Sequence, residues 1–252
     1  MTEQLAVAVL GANGRMGAEA VKAVEAAPDM KLVAALGRGD SLDSLLDAGA
    51  RYVVDLTVPE STEENVRFAV ENGMHAVVGT TGWDVGRLES LETLLAGHPE
   101  VGVLIAPNFA LGSVLTSAFA AKASKYFESV EIIELHHPEK VDAPSGTAVR
   151  TAQLVAAERE AAGVGPSPDA TTTELAGARG CEVDGVRVHS VRLRGLVAHQ
   201  EVLLGGPGEQ LTLRHDSFDR ASFMPGVLLG VRNVAAHPGL TVGLDGYLDL
   251  GL

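Results

Sequence analysis

The sequence predicts an α/β chain: a doubly wound parallel sheet in its first part, joined to an α+β part built on a mixed sheet. Three observations predict it. Short β-branched runs alternate with helical spacing over the first hundred residues. A glycine-rich turn follows the first of those runs. After Ser129 the alternation stops and strand-like runs follow one another with few helices between them.

In chain order, LAVAVL from Leu5, KLVAAL from Lys31, YVVDL from Tyr52, HAVV from His75 and VGVLIA from Val101 read as parallel strands buried on both faces. Arg15 to Ala26, Glu60 to Glu71 and Trp83 to Ala96 carry helical spacing between them. Val101 to Ala121 has no charged residue over a length that could cross a bilayer. Gly102, Pro107, Asn108 and Gly112 break it, so it reads as a buried strand, a turn and a small-residue helix from about Phe109. Beyond it, Ser129 to His136, Gly185 to Leu193, Glu201 to Leu204 and Gln210 to Arg214 read as strands, with a Gly, Pro and Thr loop from Gly163 to Gly180. A last helix is expected near Ser222 to Ala235, and the terminal TVGLDGYLDL is compatible with either part.

Composition narrows the partners. A formal charge of -14 repels phosphate backbones and anionic lipid, so neither nucleic acid nor membrane is expected. The single cysteine, Cys181, makes an intramolecular disulfide and a Cys-x-x-Cys metal site impossible, and it reads as an inert residue in a polar loop. Met1 to Gln4 carry an acid and no basic stretch, so Leu5 to Leu10 does not read as a signal peptide and the cytoplasm is the expected compartment. The 29 glycines are the compositional excess, and their placement carries the chemistry.

In VAVLGANGRMG a strand runs into Gly11, Gly14 and Gly17 and then a helix. That is a GxxGxxG variant of the Rossmann dinucleotide fingerprint, in which glycines let backbone N–H groups approach a pyrophosphate. At the end of the second strand, where an acidic residue usually takes the ribose hydroxyls, stands Gly37, followed by Arg38. Arg38 suits a 2′-phosphate, so the cofactor reads as NADPH, while Asp40 leaves NADH possible. Val78 to Gly82 and Ala106 to Phe109 leave the C-terminal ends of strands, the edge where ligands collect in open α/β sheets, and Phe109 is placed to face a nicotinamide ring.

The densest polar constellation is ELHHPEKVDAPSGT, Glu134 to Thr147. Neighbouring histidines on a strand face opposite ways, so His136 and His137 do not share a metal, and no metal site is expected. Imidazole and ammonium donors here suit proton transfer, and Ser145-Gly146-Thr147 opens a helix whose N–H groups suit a carboxylate.

VAVLGANGRMG, VVGTTGW, APNFALGSVL and above all ELHHPEKVDAPSGTA closely resemble the 4-hydroxy-tetrahydrodipicolinate (dihydrodipicolinate) reductase family, and the likeness continues through LVAHQEVLLGGPGEQLTLRHDSFDRASFMPGVLLGVR. The resemblance implies a dinucleotide-binding domain of residues 1–107 and 217–252, and a substrate-binding and tetramerisation domain of 108–216. It also implies NAD(P)H-dependent reduction of a small dicarboxylate in lysine and diaminopimelate biosynthesis, by a homotetramer. Carried over residue by residue, His136 is the acid/base histidine, Lys140 the proton donor, and His137, Gly146 and Thr147 bind substrate. Gly11, Ala12, Asn13, Gly14, Arg15, Met16, Arg38, Gly79, Thr80, Thr81, Ala106, Pro107, Asn108 and Phe109 match cofactor contacts. The departure is Gly37, where many members carry an acidic neighbour; Arg38 matches members that accept NADPH. Other nicotinamide-dependent dehydrogenases and a non-catalytic NADPH sensor share the glycine loop, but not the His-His-x-x-Lys with Ser-Gly-Thr.

Overall fold

The computed structural model describes residues 4–248 and 250, and divides the chain into two units. One takes in the chain up to Ala110 and again from Arg220; the other is Leu111–Asp219.

The first unit begins β1 (Leu5–Leu10), α1 (Arg15–Ala26), β2 (Met30–Leu36), α2 (Asp43–Asp47), β3 (Tyr52–Asp55), α3 (Pro59–Glu71), β4 (His75–Val78), α4 (Val85–Ala96) and β5 (Gly102–Ile105). The second unit follows with α5 (Leu111–Ser124), β6 (Ser129–His136), α6 (Gly146–Ala161), β7 (Cys181–Val183), β8 (Val186–Arg192), β9 (Ala198–Gly206) and β10 (Glu209–Ser217). The chain then returns to the first unit as a 3-10 turn at Arg220–Phe223, α7 (Met224–Asn233) and β11 (Gly239–Val242).

In the first unit the strands lie in the order β11-β5-β4-β3-β1-β2, every pairing parallel, which is the expected doubly wound, Rossmann-like sheet. The order reverses between β1 and β3, so a crevice opens beyond their C-terminal ends. Alternate residues serve opposite faces. Ala8, Leu10, Ala76 and Val78 pack with Val66 and Val70 of α3 and Leu91 and Leu95 of α4. On α7, Gly230 brings the helix backbone close to Val77 and Leu104. Double-sided burial fails at β2, where only Met30 is buried, because an edge strand lacks a neighbour to complete its cover. The tail question is settled by β11, which was not read as a strand: it pairs with β5 from Gly239↔Gly102 to Val242↔Ile105. Within the TVGLDGYLDL segment, Asp249 lies outside the described residues. The five-residue α2 is too short to leave a periodic signal.

In the second unit the order β10-β9-β6-β8-β7 mixes one parallel pair, β6 with β8, among antiparallel ones. The parallel pair needs a crossover, which α6 provides. Val130 and Ile132 of β6 and Val202 and Leu204 of β9 pack with Ala120 of α5 and Ala148, Ala152 and Val155 of α6. Cys181 lies on the exposed edge strand β7 rather than in a loop. Arg159 is buried with no carboxylate partner among the described residues: its guanidinium donates to the carbonyls of Ser124, Phe127, Glu128 and Gly165 at 2.7 to 3.0 Å. It thereby ties the C-terminal end of α5 to the turn leading into β6, where carbonyl groups are left over and a cation is favoured. The apolar stretch from Val101 divides into β5, a loop and α5, and no described helix is long and apolar enough to cross a membrane.

Candidate active site

The glycine turn after β1 is built by close approach. Gly11 has φ +76°, and a Cβ there would meet the Leu56 carbonyl oxygen at 2.5 Å; one on Gly17 would meet the Gly11 carbonyl oxygen at 2.0 Å. The Gly14 N–H donates to the Gly11 carbonyl at 2.8 Å, and α1 starts at Arg15. A cavity of about 1070 Å³ opens over this turn. Gly11, Asn13, Gly14, Arg15, Met16 and Arg38 line it, so six predicted cofactor contacts share one wall. Ala12 is buried beneath them. Gly37 is there for space: a Cβ would strike the Asn13 amide at 2.3 Å. Asp40 turns back on its own loop, its Oδ2 accepting the Gly37 N–H at 2.8 Å, while Arg38 stays exposed.

The two other predicted loops do not line this cavity. Thr80 is buried, and its hydroxyl is hydrogen-bonded to Asp55 Oδ1 at 3.2 Å, so its side chain is committed to the fold. Asp55 is fully buried at the end of β3 and also accepts from the Thr57 N–H and hydroxyl and from Asn65 Nδ2. Sequence reasoning passed over this carboxylate because YVVDL reads as a strand with one polar residue. Phe109 is 3% exposed, and a Cβ on Gly79 would meet its ring at 2.7 Å, so the ring packs in the unit's interior instead of presenting a face to a ligand. Thr81 and Pro107 are exposed, Ala106 is buried and donates its N–H to the Val78 carbonyl, and Asn108 Oδ1 accepts the Ala110 N–H.

In the second unit, β6 carries Glu134 and His136 two residues apart, hence on one face. His136 Nδ1 lies 2.5 Å from Glu134 Oε2. Arg192, opposite His136 in the β6–β8 register, forks onto the same carboxylate, Nη1 to Oε2 at 2.8 Å and Nη2 to Oε1 at 2.7 Å. Ser145 adds a backbone N–H to Oε1 at 3.1 Å. Burial pushes the Glu134 carboxyl up, but hydrogen bonds from His136, Arg192 and Ser190 outweigh it and bring it down to about 2. Glu134 stands inside the motif picked from the sequence but without a role there, although the two-residue strand period points to it. Arg192 has no local signal, because only the parallel pairing brings it in.

Lys140 reaches Asp142, Nζ to Oδ1 at 2.7 Å. Desolvation pushes the Asp142 carboxyl up, yet hydrogen bonds from Lys140 and the Gly146 backbone hold it below the usual range. Gly146 and Thr147 form the first turn of α6, capped by the Ser145 hydroxyl, which accepts the Ala148 N–H at 3.2 Å. His137 lies just past β6, and its Nδ1 is buried with no hydrogen-bond partner among the described residues.

Comparison with known proteins identifies the family. Residues 5–109 match the family model for the dihydrodipicolinate reductase N-terminus, and 112–248 that for its C-terminus. The 4-hydroxy-tetrahydrodipicolinate reductase of Streptomyces griseus subsp. griseus is 66% identical over 247 residues, covering 98% of this chain and 99% of the relative. That of Nocardia farcinica is 62% identical over 244 residues, 97% of this chain and 98% of the relative. Among solved structures, a dipicolinate-bound dihydrodipicolinate reductase from Paenisporosarcina sp. TG-14 superposes with a TM-score of 0.87 at 39% identity, covering 97% of this chain and 100% of that one. With both halves matched in order and the sequence shared over nearly its whole length, the chain belongs to the dihydrodipicolinate reductase family of oxidoreductases.

Proposed function

We propose that the chain reduces 4-hydroxy-tetrahydrodipicolinate to tetrahydrodipicolinate with release of water, on the route to diaminopimelate and lysine, and prefers NADPH over NADH. The observation that carries this reading is that the Lys140 ammonium, 2.7 Å from the Asp142 carboxylate, stands on the loop that leads into the N-terminus of α6. A cation ahead of a helix N-terminus suits a dicarboxylate substrate.

The first unit fits a dinucleotide. Gly11 to Met16 would hold the pyrophosphate with backbone N–H groups and Arg38 the 2′-phosphate. Asp40 is engaged with the Gly37 N–H, while Arg38 is exposed in the same cavity, and an arginine there suits a 2′-phosphate and favours NADPH. Gly79, Thr80, Thr81 and Ala106 to Phe109 would contribute mainly backbone groups, since the Thr80 hydroxyl and the Phe109 ring are engaged elsewhere. When bound, the reduced nicotinamide supplies the hydride.

The chain's own residues supply orientation and the proton. Lys140 and His136 are the proton donors, an ammonium and an imidazole whose N–H groups can also bind the substrate's oxygens. The unpartnered His137 Nδ1 offers a polar atom to the substrate, and the Gly146 and Thr147 backbone receives one carboxylate. We assign dinucleotide binding to 1–107 and 217–252 and substrate binding to 108–216. A homotetramer, formed in the cytoplasm, would use the sheet face away from α5 and α6, where Ile133, Leu135, Val191 and Leu203 are half-exposed. The test is oxidation of NADPH and of NADH, in parallel, with substrate made freshly by the preceding synthase. Turnover with NADPH favoured supports the reading; no turnover with either cofactor overturns it.

A further inference from the structure

We propose that Glu134, clamped by Arg192, is a positioning residue that fixes the tautomer of His136, with the proton on Nδ1 and Nε2 turned over to the substrate. The inference rests on the reading of His136 as an acid/base group and adds the element that determines which nitrogen does the work.

The argument is one of donors and acceptors. Glu134 is fully buried and receives two N–H groups of Arg192 and the Ser145 backbone N–H. Three donors, two of them cationic, keep that carboxylate ionised, and an ionised carboxylate only accepts. The contact of 2.5 Å to His136 Nδ1 therefore requires the hydrogen on Nδ1. In the neutral ring Nε2 then carries a lone pair, and in the cationic ring it carries the one proton that can be given away. Without Glu134 either ring nitrogen could carry the proton, and the Nε2–H form would turn the wrong nitrogen state to the substrate.

The same pair braces the segment that follows. Besides Glu134, Arg192 Nη2 donates to the Asp142 carbonyl at 2.7 Å, and Glu134 holds the Ser145 N–H at the threshold of α6. One carboxylate thus fixes the ring at the end of β6 and the far end of the loop bearing Lys140.

A purely structural ion pair would hold the loop but leave the tautomer indifferent, and nitrogen chemical shifts separate the two. In the wild-type protein labelled with 15N-histidine, the neutral His136 ring is expected as the Nδ1–H form; an Nε2–H form or an even mixture overturns the proposal, whatever the variants do. Glu134→Gln, which keeps an oxygen for the Ser145 N–H, is expected to lower kcat by about 100-fold. KM for the dicarboxylate and the dissociation constant for NADPH should stay within about threefold. Arg192→Lys keeps the carboxylate charge and should retain the Nδ1–H form and most of kcat. A fall in kcat in Arg192→Lys equal to that of Glu134→Gln, with the tautomer unchanged in both, would assign the pair to folding alone. Failure of the functional reading is distinct: it shows as no turnover by the wild-type protein.

Discussion

The Lys140 ammonium and the Asp142 carboxylate lie 2.7 Å apart in the loop that leads into α6. An incoming dicarboxylate must compete with this internal anion for the same donors. Asp142→Asn removes the competing charge and leaves Lys140 and the helix start in place. Dipicolinate should then bind several-fold tighter, measured by calorimetry; weaker binding would mean that Asp142 supports the site instead of competing with its ligand.

Arg38 stands exposed on the wall of the glycine-turn cavity, next to Gly37, where no carboxylate can form. Arg38→Ala should weaken NADPH by about tenfold or more, the worth of one charge-assisted phosphate contact, and NADH by no more than about twofold. Fluorescence titration with both cofactors checks this. Equal losses would show that Arg38 does not read the phosphate.

Arg159 satisfies four carbonyls with one buried guanidinium. Arg159→Met fills similar volume but strands those carbonyls, so it should destabilise the second unit by on the order of 3 kcal/mol. Chemical denaturation followed by circular dichroism measures it. A loss below about 1 kcal/mol would show that water or a local shift replaces the donors.

His75 accepts the Gly102 N–H on Nδ1 at 3.0 Å and stacks on Tyr52. Burial and then the nearby Arg51 charge lower its pKa from 6.5. Because the folded value lies below the unfolded one, the unfolded chain takes up the proton first. The contribution is complete above about 6.5 and is lost as pH falls toward the folded value. His75→Gln should therefore lose less stability than the wild type on going from about pH 7 to about pH 5. Equal losses of unfolding free energy in the two proteins, from urea titrations at the two pH values, would contradict it.

Much of this was legible before the structure, and for physical reasons. The parallel strands and their helices announce themselves because burial and periodicity are local, as in LAVAVL and Arg15 to Ala26. The glycine turn and the His-His-x-x-Lys segment are likewise contiguous. What was missed depends on pairing across the chain: β11 is a strand only because β5 is beside it, and Arg192 reaches Glu134 only through the β6–β8 register. The partners of the Thr80 hydroxyl and the Phe109 ring, Asp55 and Gly79, are distant in sequence and leave no local signal.

On the proposed reading, His136 and Lys140 of the second unit drive proton transfer while the first unit binds the nucleotide independently. The direct measurement is steady-state reduction of freshly made substrate by His136→Ala and Lys140→Ala, with NADPH affinity titrated on the same samples. The account predicts kcat lower by about 100-fold or more in each, with the NADPH dissociation constant within about twofold of the wild type. Turnover at the wild-type rate in both variants would contradict it.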